Sequence, residues 1–325
     1  MAVTSRVERA QSDPRFDYEP MLAATPGDRP QPLSFLGKTL SAPWWISSMT
    51  GGTAGADNIN RRLARACGEF GLGMGLGSCR ALLHDDQHLP DFDVRAEMGD
   101  AGLLYANLGI AQVERSLAAG EGDQIAALVA KLRADGLIVH VNPLQEWLQP
   151  EGDRIERPPL ETLQALLETA EYPVIVKEVG QGFGPASLEA LFRLPLAAVD
   201  FGAHGGTNFS LLEMKRDNEI ARSAYDNITK IGHTAPDMVQ TANRVLRELG
   251  DKARCGNIIV SGGVQDFLDG WWLIHQLDVP AIYAQGSAFL VPARAGYEAL
   301  QTFVAGQLRG MALAEAFFRV RRTDG

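Results

Sequence analysis

The residues best suited to chemistry in this chain lie in the segment His140-Val-Asn-Pro-Leu-Gln-Glu146. It follows the apolar run Gly136–Val139, which predicts a buried strand that ends at residue 139. A rigid strand end can bring the polar side chains that follow it onto one small ligand. The Glu146 carboxylate supplies hard oxygen atoms of the kind that Mg²⁺ prefers. A polar loop with a helix cap would explain the same residues, so this segment alone leaves both interpretations open.

Two glycine-rich turns indicate where a phosphate group could bind. Ser261-Gly-Gly263 and Gln285-Gly-Ser287 follow the seventh and the eighth of eight apolar runs. Glycine lets the backbone approach phosphate oxygens without a Cβ clash, and the loops after strands seven and eight of a barrel commonly bind phosphate through N–H groups. Lys177, at the end of the fifth run, adds a cation, unless it is solvated or paired with Glu178.

Eight short apolar runs, each followed by a polar or glycine-rich turn, supply the strands that would position these groups. The runs are Pro43–Ile46, Gly71–Leu76, Gly102–Ala106, Gly136–Val139, Pro173–Val176, Leu196–Val199, Asn257–Val260 and Ala281–Tyr283. Segments of helical periodicity lie between most of them, namely Ile59–Phe70, Asp123–Ala134, Leu160–Thr169, Ser187–Leu194 and Pro236–Leu249. This alternation predicts an α/β fold, and eight units over about 250 residues match a TIM (β/α)8 barrel. A doubly wound sheet is the alternative, but it would gather the chemical residues at one switch point rather than after nearly every run.

Composition narrows the function classes. The chain has 325 residues, 46% of them hydrophobic, which suffices for one large core. A net charge of −10 argues against a nucleic-acid or anionic-membrane partner. Cys67, Cys79 and Cys255 have no paired or metal-site spacing, which favours a reducing compartment. With neither an apolar signal region nor a run of membrane-spanning length, we expect a cytoplasmic protein whose residues 1–325 form one barrel domain and whose residues 1–40 are an extension that packs on it.

Seven ordered motifs, found between about Phe16 and the C-terminus, carry a resemblance to a known family. They are Met49–Gly52, Gly77–Arg80, Asn107–Gly109, His140–Arg154, Val174–Gly180, Gly205–Asn208 and Ser261–Gly263. In these motifs the chain resembles the type 2, flavin-dependent isopentenyl-diphosphate delta-isomerases. The resemblance implies a TIM barrel that binds FMN and Mg²⁺, has its flavin reduced by NADPH, and forms a homo-oligomer (a tetramer or an octamer). It also implies the reaction, in which a reduced flavin serves to interconvert isopentenyl and dimethylallyl diphosphate without net redox change.

The same resemblance implies a set of flavin contacts. The ring and ribityl chain would lie against Ser48, Met49, Thr50, Ser78, Asn107, Lys177 and Thr207, and the phosphate against Gly262, Gly263, Ala284 and Gln285. A cation such as Lys177 near the N1 and C2 carbonyl region of a flavin can stabilise its reduced, anionic form.

On the substrate side, the resemblance implies that Arg80, His140 and Asn142 contact the diphosphate or its metal. Gln145 would lie beside the reacting carbons, and Glu146 would bind Mg²⁺. We therefore expect Gln145 and His140 to be the catalytic side chains. Because an amide has no useful pKa, the role expected of Gln145 is to orient the substrate or to relay a proton.

The N-terminal region departs from the family, in which an Arg-Lys-x-x-His box reaches over the diphosphate. Aligned on Arg15–Met21, this chain starts too late to include the box, and the spacing and order of Arg6 and Arg9 differ from it. A truncated start explains this, and so does a real loss. A real loss would give weaker diphosphate binding, a changed substrate, or an FMN-binding homologue without the activity.

His204 is a second departure, since the family more often has a small or amide residue at this position. It resembles the base of the FMN-dependent 2-hydroxy-acid oxidases, where a His-Gly pair lies at the barrel mouth. Those enzymes place an arginine three residues later, where this chain has Thr207. The alternative function is therefore an FMN-dependent oxidoreductase of a small 2-hydroxy acid with His204 as the base. The simpler interpretation is a histidine that only makes a hydrogen bond at the mouth.

Overall fold

Eight strands form a closed barrel in the computed structural model, which describes residues 12–49, 56–214 and 225–322. The barrel strands are β4 (Trp44–Ile46), β5 (Gly73–Gly75), β6 (Leu103–Gly109), β7 (Gly136–Val141), β8 (Val174–Glu178), β9 (Ala198–Asp200), β10 (Ile258–Ser261) and β11 (Ala281–Gln285). Every neighbouring pair is parallel, and β11 closes on β4 with Tyr283 opposite Trp44. The eight predicted runs and the TIM barrel are confirmed, and the closed ring excludes a doubly wound sheet.

Helices surround the barrel and connect its strands. They are α1 (Ala56–Phe70), α2 (Leu89–Phe92), α3 (Arg95–Met98), α4 (Ile110–Ala118), α5 (Gly122–Lys131), α6 (Pro143–Leu148), α7 (Pro159–Thr169), α8 (Pro185–Phe192), α9 (Phe209–Met214), α10 (Ala235–Leu249), α11 (Phe267–His275), α12 (Ser287–Ala295) and α13 (Tyr297–Phe317). Short 3₁₀ helices span Arg80–Leu83, Ile228–Lys230 and Gly250–Lys252. Each of the five segments predicted as helical contains a helix, with ends that differ by a few residues. In the described part of the chain, none of these helices is long and apolar enough to cross a membrane.

Two small antiparallel sheets lie outside the barrel. Strands β1 (Phe16–Tyr18) and β12 (Phe318–Val320) pair near the two chain ends, and β2 (Leu33–Phe35) pairs with β3 (Lys38–Leu40). The ring of Phe16 stacks on that of Trp271 in α11, with centroids 5.5 Å apart. The β1–β12 ribbon is thereby packed against a helix of the barrel.

The inside of the barrel is filled by a separate apolar cluster. Its members come from alternate positions of the strands and from the β2–β3 hairpin: Phe35, Leu40, Trp45, Leu103, Tyr105, Ile138, Ile175, Ala198, Ile259, Ile282 and Ala284. The residues between them on the strands pack outward against the helices. Because side chains alternate along a strand, the residue two positions after each inward apolar residue also points into the barrel.

That alternation places a polar layer directly above the apolar interior, at the carboxyl ends of the strands. It consists of Asn107, His140, Lys177, Asp200 and Ser261, each two positions after an inward apolar residue. Strands β6, β7 and β8 continue past their apolar runs to include the first three of these residues. The prediction that the strand before His140 ends at residue 139 was therefore wrong. Apolar runs underestimate strand length here because the inward positions near the mouth are polar.

Candidate active site at the barrel mouth

His140 is held in one orientation by Asn107. The Asn107 amide nitrogen donates to the Leu76 carbonyl oxygen over 3.0 Å, so its oxygen faces His140, 2.7 Å from Nδ1. Nδ1 must therefore carry the proton and donate, which leaves Nε2 with a free lone pair when the ring is neutral. Asn107, expected against the flavin, is buried and spends both polar groups of its amide on this arrangement.

The electrostatic surroundings favour a neutral His140. Burial, with the positive charges of Lys177 and Arg80, lowers the pKa of His140 to about 4. Arg80 begins a short 3₁₀ helix after β5 and is exposed, with no hydrogen bond or ion pair to any residue in the described ranges. A guanidinium so placed is free to bind an anion that enters the mouth.

The remaining residues of the opening motif are brought together by the short helix α6. The buried Asn142 amide nitrogen donates to Glu146 Oε1 over 2.8 Å and to Gln145 Oε1 over 3.2 Å. Gln145 and Glu146 are both half-buried. The structure thus places Asn142, Gln145 and Glu146 in contact with one another, just beyond the carboxyl end of β7.

Glu146 has a second partner that the sequence did not reveal. Its Oε2 accepts a hydrogen bond of 2.7 Å from the backbone N–H of Asp153. The Asp153 carboxylate in turn accepts from Gln112 Nε2 over 2.5 Å and from Arg115 Nη1 over 2.7 Å. Gln112 and Arg115 lie on α4, so the carboxylate of Glu146 is connected to the helix after the preceding strand.

Lys177 is neither solvated nor paired with Glu178, so both explanations offered for it as a non-functional cation were wrong. It is 8% exposed, and its Nζ lies 3.3 Å from Asp200 Oδ1 and 3.2 Å from Ser261 Oγ. Ser261 Oγ also donates to Asp200 Oδ1. Lys177 and Asp200 are register partners on β8 and β9, and Ser261 ends β10. A buried ion pair with a hydroxyl therefore spans three adjacent strands of the polar layer.

Glu178 holds the loop after β8 rather than a neighbouring cation. Its Oε2 accepts the backbone N–H groups of Gly180, Gln181 and Gly182 over 2.6–2.8 Å. Burial raises the pKa of this carboxyl, against the opposing effect of these hydrogen bonds. The Glu178 side chain therefore fixes the backbone of this loop, and Lys177 pairs with Asp200 instead.

The glycine pair after β10 lies against the loop after β9. Gly262 and Gly263 have φ angles of 85° and 73°, a region that favours glycine. A Cβ on Gly262 would lie 2.1 Å from the Ala203 carbonyl oxygen, and one on Gly206 would lie 3.2 Å from the Gly263 nitrogen. Only glycine permits this close approach of two backbone segments, which forms a cradle of main-chain atoms at the predicted phosphate position.

The other residues expected at the flavin occupy the same rim with differing roles. Ser48 is half-buried and its Oγ has no hydrogen-bond partner among the described residues, while Met49 lies near Gly286. Ser78 is half-buried and Thr207 is exposed. Ala284 belongs to the apolar interior. Thr50, like Arg6 and Arg9, lies outside the described residues.

Gln285 uses its side chain to brace the glycine loop. Its Nε2 donates to the carbonyl oxygens of Val264 and Gln265 over 3.0 and 3.2 Å, and its Oε1 accepts from Trp44 Nε1 over 3.0 Å. A phosphate at this position could contact Gln285 only through its main chain.

His204 has an unusual environment for a residue that only stabilises the fold. It is half-buried, and its Nδ1 is buried without a hydrogen-bond partner in the described ranges. Its backbone N–H donates to the His233 carbonyl oxygen over 2.8 Å. A buried polar atom without a partner is costly, so this nitrogen needs either a water molecule or a group of a bound ligand as its partner.

The site's donors fit a flavin and a magnesium ion. The unpartnered Ser48 Oγ and His204 Nδ1, the buried Lys177 ammonium and the glycine cradle supply the kinds of groups that a flavin ring and its phosphate need. No cluster of three His, Cys, Asp or Glu side chains suited to a metal occurs in the described ranges. Glu146 therefore fits a Mg²⁺ that is bound by one carboxylate together with water and substrate phosphates.

Sequence reasoning missed Asp200, Gln112 and Asp153. Asp200 had a local signal, since an acid follows the apolar run Leu196–Val199 directly. Asp153 lay inside the 140–154 motif, but Gln112 sits on an ordinary helix with nothing in the sequence to single it out.

Solved structures with the same fold include flavoenzymes. A flavocytochrome b2 with sulfite bound superimposes with a TM-score of 0.62 at 12% identity, covering 93% of this chain and 71% of that one. A mandelate oxidase with an FMN monooxide adduct gives 0.55 at 12% identity, covering 94% and 88%. At this identity the likeness establishes the fold alone. No family model matches the chain.

Curated relatives are much more similar in sequence. Proteins named isopentenyl-diphosphate delta-isomerase from Synechocystis sp. and Synechococcus sp. are 37% and 39% identical over 73% and 72% of this chain, and each match spans 65% of the relative's own length. The one from Chlorobium chlorochromatii is 35% identical over 73% of this chain and 67% of its own length. The chain therefore belongs to the isopentenyl-diphosphate delta-isomerase family, in the type 2 branch that its motifs predicted.

Proposed function

We propose that this protein isomerises isopentenyl diphosphate to dimethylallyl diphosphate, using reduced FMN and Mg²⁺ without net redox change. One observation carries the proposal. In this member of the family, three side chains in mutual contact, Asn142, Gln145 and Glu146, lie next to the buried ion pair of Lys177 and Asp200. His140 and Lys177 are register partners on β7 and β8, so the two groups share one sector of the mouth. A substrate diphosphate and a flavin ring can then meet there.

The substrate diphosphate is bound by the outer residues of the mouth. The exposed Arg80 guanidinium supplies bidentate donors for phosphate oxygens. His140 Nε2 and the Asn142 oxygen are acceptors here, so they would face the metal or its waters rather than the phosphate oxygens. Glu146 would bind the Mg²⁺ that neutralises part of the diphosphate charge. Fixing the diphosphate in this way would limit the positions that the five-carbon chain can take in the mouth.

FMN would be held by the inner residues of the mouth. The glycine cradle at Gly262 and Gly263 would hold its phosphate through the main chain, and Lys177 and the Ser48 hydroxyl would supply donors to its ring. When bound, reduced FMN would supply an acid–base group for the proton transfers.

The reaction moves a double bond by adding a proton to one carbon and removing one from another. Protonation of an unactivated alkene develops tertiary-cation character, which water would trap, so the site must exclude water. The apolar interior directly below the polar layer, with Tyr105 and Ile138, supplies a dry floor. Gln145, fixed by Asn142, orients the reacting carbons or relays a proton through its amide.

The decisive assay uses prereduced, Mg²⁺-supplied protein incubated anaerobically with isopentenyl diphosphate. We expect the dimethylallyl isomer to form without net flavin oxidation. Glu146→Gln should lower Mg²⁺-dependent turnover on the order of 10²-fold, because it removes the metal's charged ligand, and it should leave the protein yellow. Unchanged Mg²⁺ dependence would remove Glu146 from the metal role, and a colourless protein that refuses FMN would refute the proposal.

A second candidate function rests on His204, whose buried Nδ1 lacks a partner among the described residues. It is a flavin-dependent oxidation of a small 2-hydroxy acid with His204 as the base. Bleaching of the oxidised flavin by a hydroxy acid, lost in His204→Ala, would support it. Thr207 in place of a carboxylate-binding arginine weighs against it. A yellow protein inert in both assays would instead be an FMN-binding homologue that has lost the activity.

The proposal extends to the setting in which the protein works. NADPH would reduce the flavin, and the protein would act in the cytoplasm as a homo-oligomer, a tetramer or an octamer. Light scattering coupled to gel filtration measures the assembly, and anaerobic titration with NADPH, monitored by flavin absorbance, measures the reduction.

A further inference from the structure

The carboxylate of Glu146 is fixed at both oxygens before any metal arrives. Oε1 accepts from the Asn142 side chain over 2.8 Å, and Oε2 accepts from the backbone N–H of Asp153 over 2.7 Å. Both donors are neutral, and each carboxylate oxygen has a second lone pair. Glu146 can therefore keep these hydrogen bonds and still coordinate a cation.

The donor on Oε2 belongs to a turn that is attached to another helix. The Asp153 side chain is 20% exposed and accepts from the buried Gln112 amide and from Arg115, both on α4. The hydrogen bond from Arg115 to Asp153, with the nearby charge of Glu146, raises the pKa of Arg115. We call these four residues, Glu146, Asp153, Gln112 and Arg115, the Asp153 clamp.

The turn before Asp153 has no space for a side chain at Gly152. A Cβ on Gly152 would lie 1.8 Å from the Glu146 carbonyl oxygen, so the turn packs directly on the end of α6. Glu114, also on α4, accepts the backbone N–H groups of Glu156 and Arg157 over 3.1 and 2.8 Å. Helix α4 thus holds this segment at two points, through Asp153 and through the backbone of Glu156 and Arg157. Of these two points, only Asp153 also contacts Glu146.

We propose that Asp153 is a positioning residue that sets the affinity of Glu146 for the divalent cation, by anchoring the backbone N–H that orients its carboxylate. This inference rests on the proposed function, since it concerns the cation that Glu146 would bind there. Partners that orient a metal ligand from outside its coordination sphere commonly matter nearly as much as the ligand. Asp153 itself touches neither substrate nor metal in this role.

The test is Asp153→Ala in the FMN-loaded protein. We expect the Mg²⁺ concentration for half-maximal activity to rise about 10- to 100-fold, with kcat at saturating Mg²⁺ close to that of the unaltered protein. Binding of Mn²⁺ in the presence of inorganic diphosphate, followed by the electron paramagnetic resonance signal of free Mn²⁺, should weaken by a similar factor. Asp153→Asn, which can still accept from Arg115, should recover part of the affinity.

Glu114→Ala is the matched control, since it releases the same segment at the point that does not reach Glu146. It should leave the Mn²⁺ affinity unchanged. If Asp153→Ala does not fold, Gln112→Ala tests the same clamp from the other side and should weaken Mn²⁺ binding in the same direction.

Failure of the inference and failure of the proposed function are distinguishable. If Glu146→Gln binds Mn²⁺ poorly while Asp153→Ala and Gln112→Ala bind it normally, Asp153 has no positioning role. A loss of kcat in Asp153→Ala that saturating Mg²⁺ does not restore would also overturn it, in favour of a direct role. If Glu146→Gln itself binds Mn²⁺ normally, the metal role of Glu146 fails first.

Discussion

Two buried cations, Arg95 and Lys177, lie at opposite ends of the barrel and differ in how completely they are bonded. Arg95 is 3% exposed at the amino-terminal end of the strands, and Lys177 is 8% exposed at the mouth. The five N–H donors of Arg95 are all used, on the carbonyl oxygens of Arg133, Gly99 and Gly102 and on the Asp135 carboxylate.

Lys177 has three donors but only two partners in the described part of the chain, Asp200 and Ser261. Burying a cation is costly unless its hydrogen bonds are made. A fully bonded cation such as Arg95 stabilises the fold, whereas a cation with an unused donor can also bind a ligand. The number of unused donors therefore distinguishes the amino-terminal end of this barrel from the end that carries the proposed site.

The largest effect should come from exchanging each cation for methionine. Lys177→Met should weaken FMN binding about 10- to 100-fold, the value of a hydrogen bond to a charged group. Arg95→Met should leave FMN binding intact and lower the free energy of unfolding by about 3 kcal/mol, because it leaves the carbonyl oxygens of Arg133, Gly99 and Gly102 without their donor. Flavin fluorescence titration and urea unfolding measure the two quantities.

A double variant separates the loss of the FMN contact in Lys177→Met from the cost of leaving Asp200 unpaired. Lys177→Met combined with Asp200→Asn leaves no stranded carboxylate, so it should regain stability and still bind FMN weakly. If Lys177→Met binds FMN normally, or if Arg95→Met binds it as poorly as Lys177→Met does, the contrast between the two ends is wrong.

A smaller effect should follow from adding one methyl group at each end. A Cβ on Gly109 would lie 2.2 Å from Gln112 Oε1 and 2.9 Å from His140 Nε2, whereas one on Gly68 in α1 would lie 2.5 Å from the Met98 carbonyl oxygen. Gly109→Ala should displace both mouth side chains and lower turnover about 10-fold or more. Gly68→Ala should lower the melting temperature and leave the activity per folded molecule unchanged. Equal loss of activity per folded molecule in both variants would contradict the contrast.

The effect that is smallest at neutral pH concerns His140, which has one bonded and one free ring nitrogen. Its pKa is about 4 in the folded protein against an ordinary value of 6.5, so between these pH values the unfolded chain binds a proton that the folded protein excludes. The contribution of His140 to the free energy of unfolding is therefore greatest above pH 6.5. It falls by up to about 1.4 kcal/mol per pH unit as the pH drops toward 4, and it is constant below pH 4.

Urea unfolding of the apoprotein across this range checks the prediction. In His140→Gln, the slope of the free energy of unfolding against pH should decrease by the equivalent of up to one bound proton. An unchanged slope in the variant would mean that His140 is not held neutral by its surroundings.

The positions of the strands could be predicted from the sequence, because apolar runs and helical periodicity are local signals. The eight runs located the barrel strands, and the turn residues located the mouth. The strand ends were harder to predict, since His140 and Lys177 continue their strands as inward polar residues that no apolar pattern includes.

Contacts between distant parts of the chain could not be predicted in the same way. The pairing of Lys177 with Asp200 depends on the stagger of β8 against β9, and the bond from Gln112 to Asp153 joins residues 41 positions apart. The ribbon of β1 and β12 was missed because its strands are partly exposed and each has a charged residue at its centre, so neither forms a continuous apolar run. The composition of the candidate site was thus accessible, but its hydrogen bonding was not.

The brace made by Gln285 has a consequence for assembly of the barrel. Its side chain joins Trp44 on the first barrel strand to Val264 and Gln265 beyond the seventh. In the closed ring, the shape of the glycine loop is therefore coupled to the contact between the first and the last barrel strands. A cofactor bound by that loop would stabilise the contact between the first and the last strands. By mass action, the barrel with cofactor bound would be more stable to unfolding than the barrel without it.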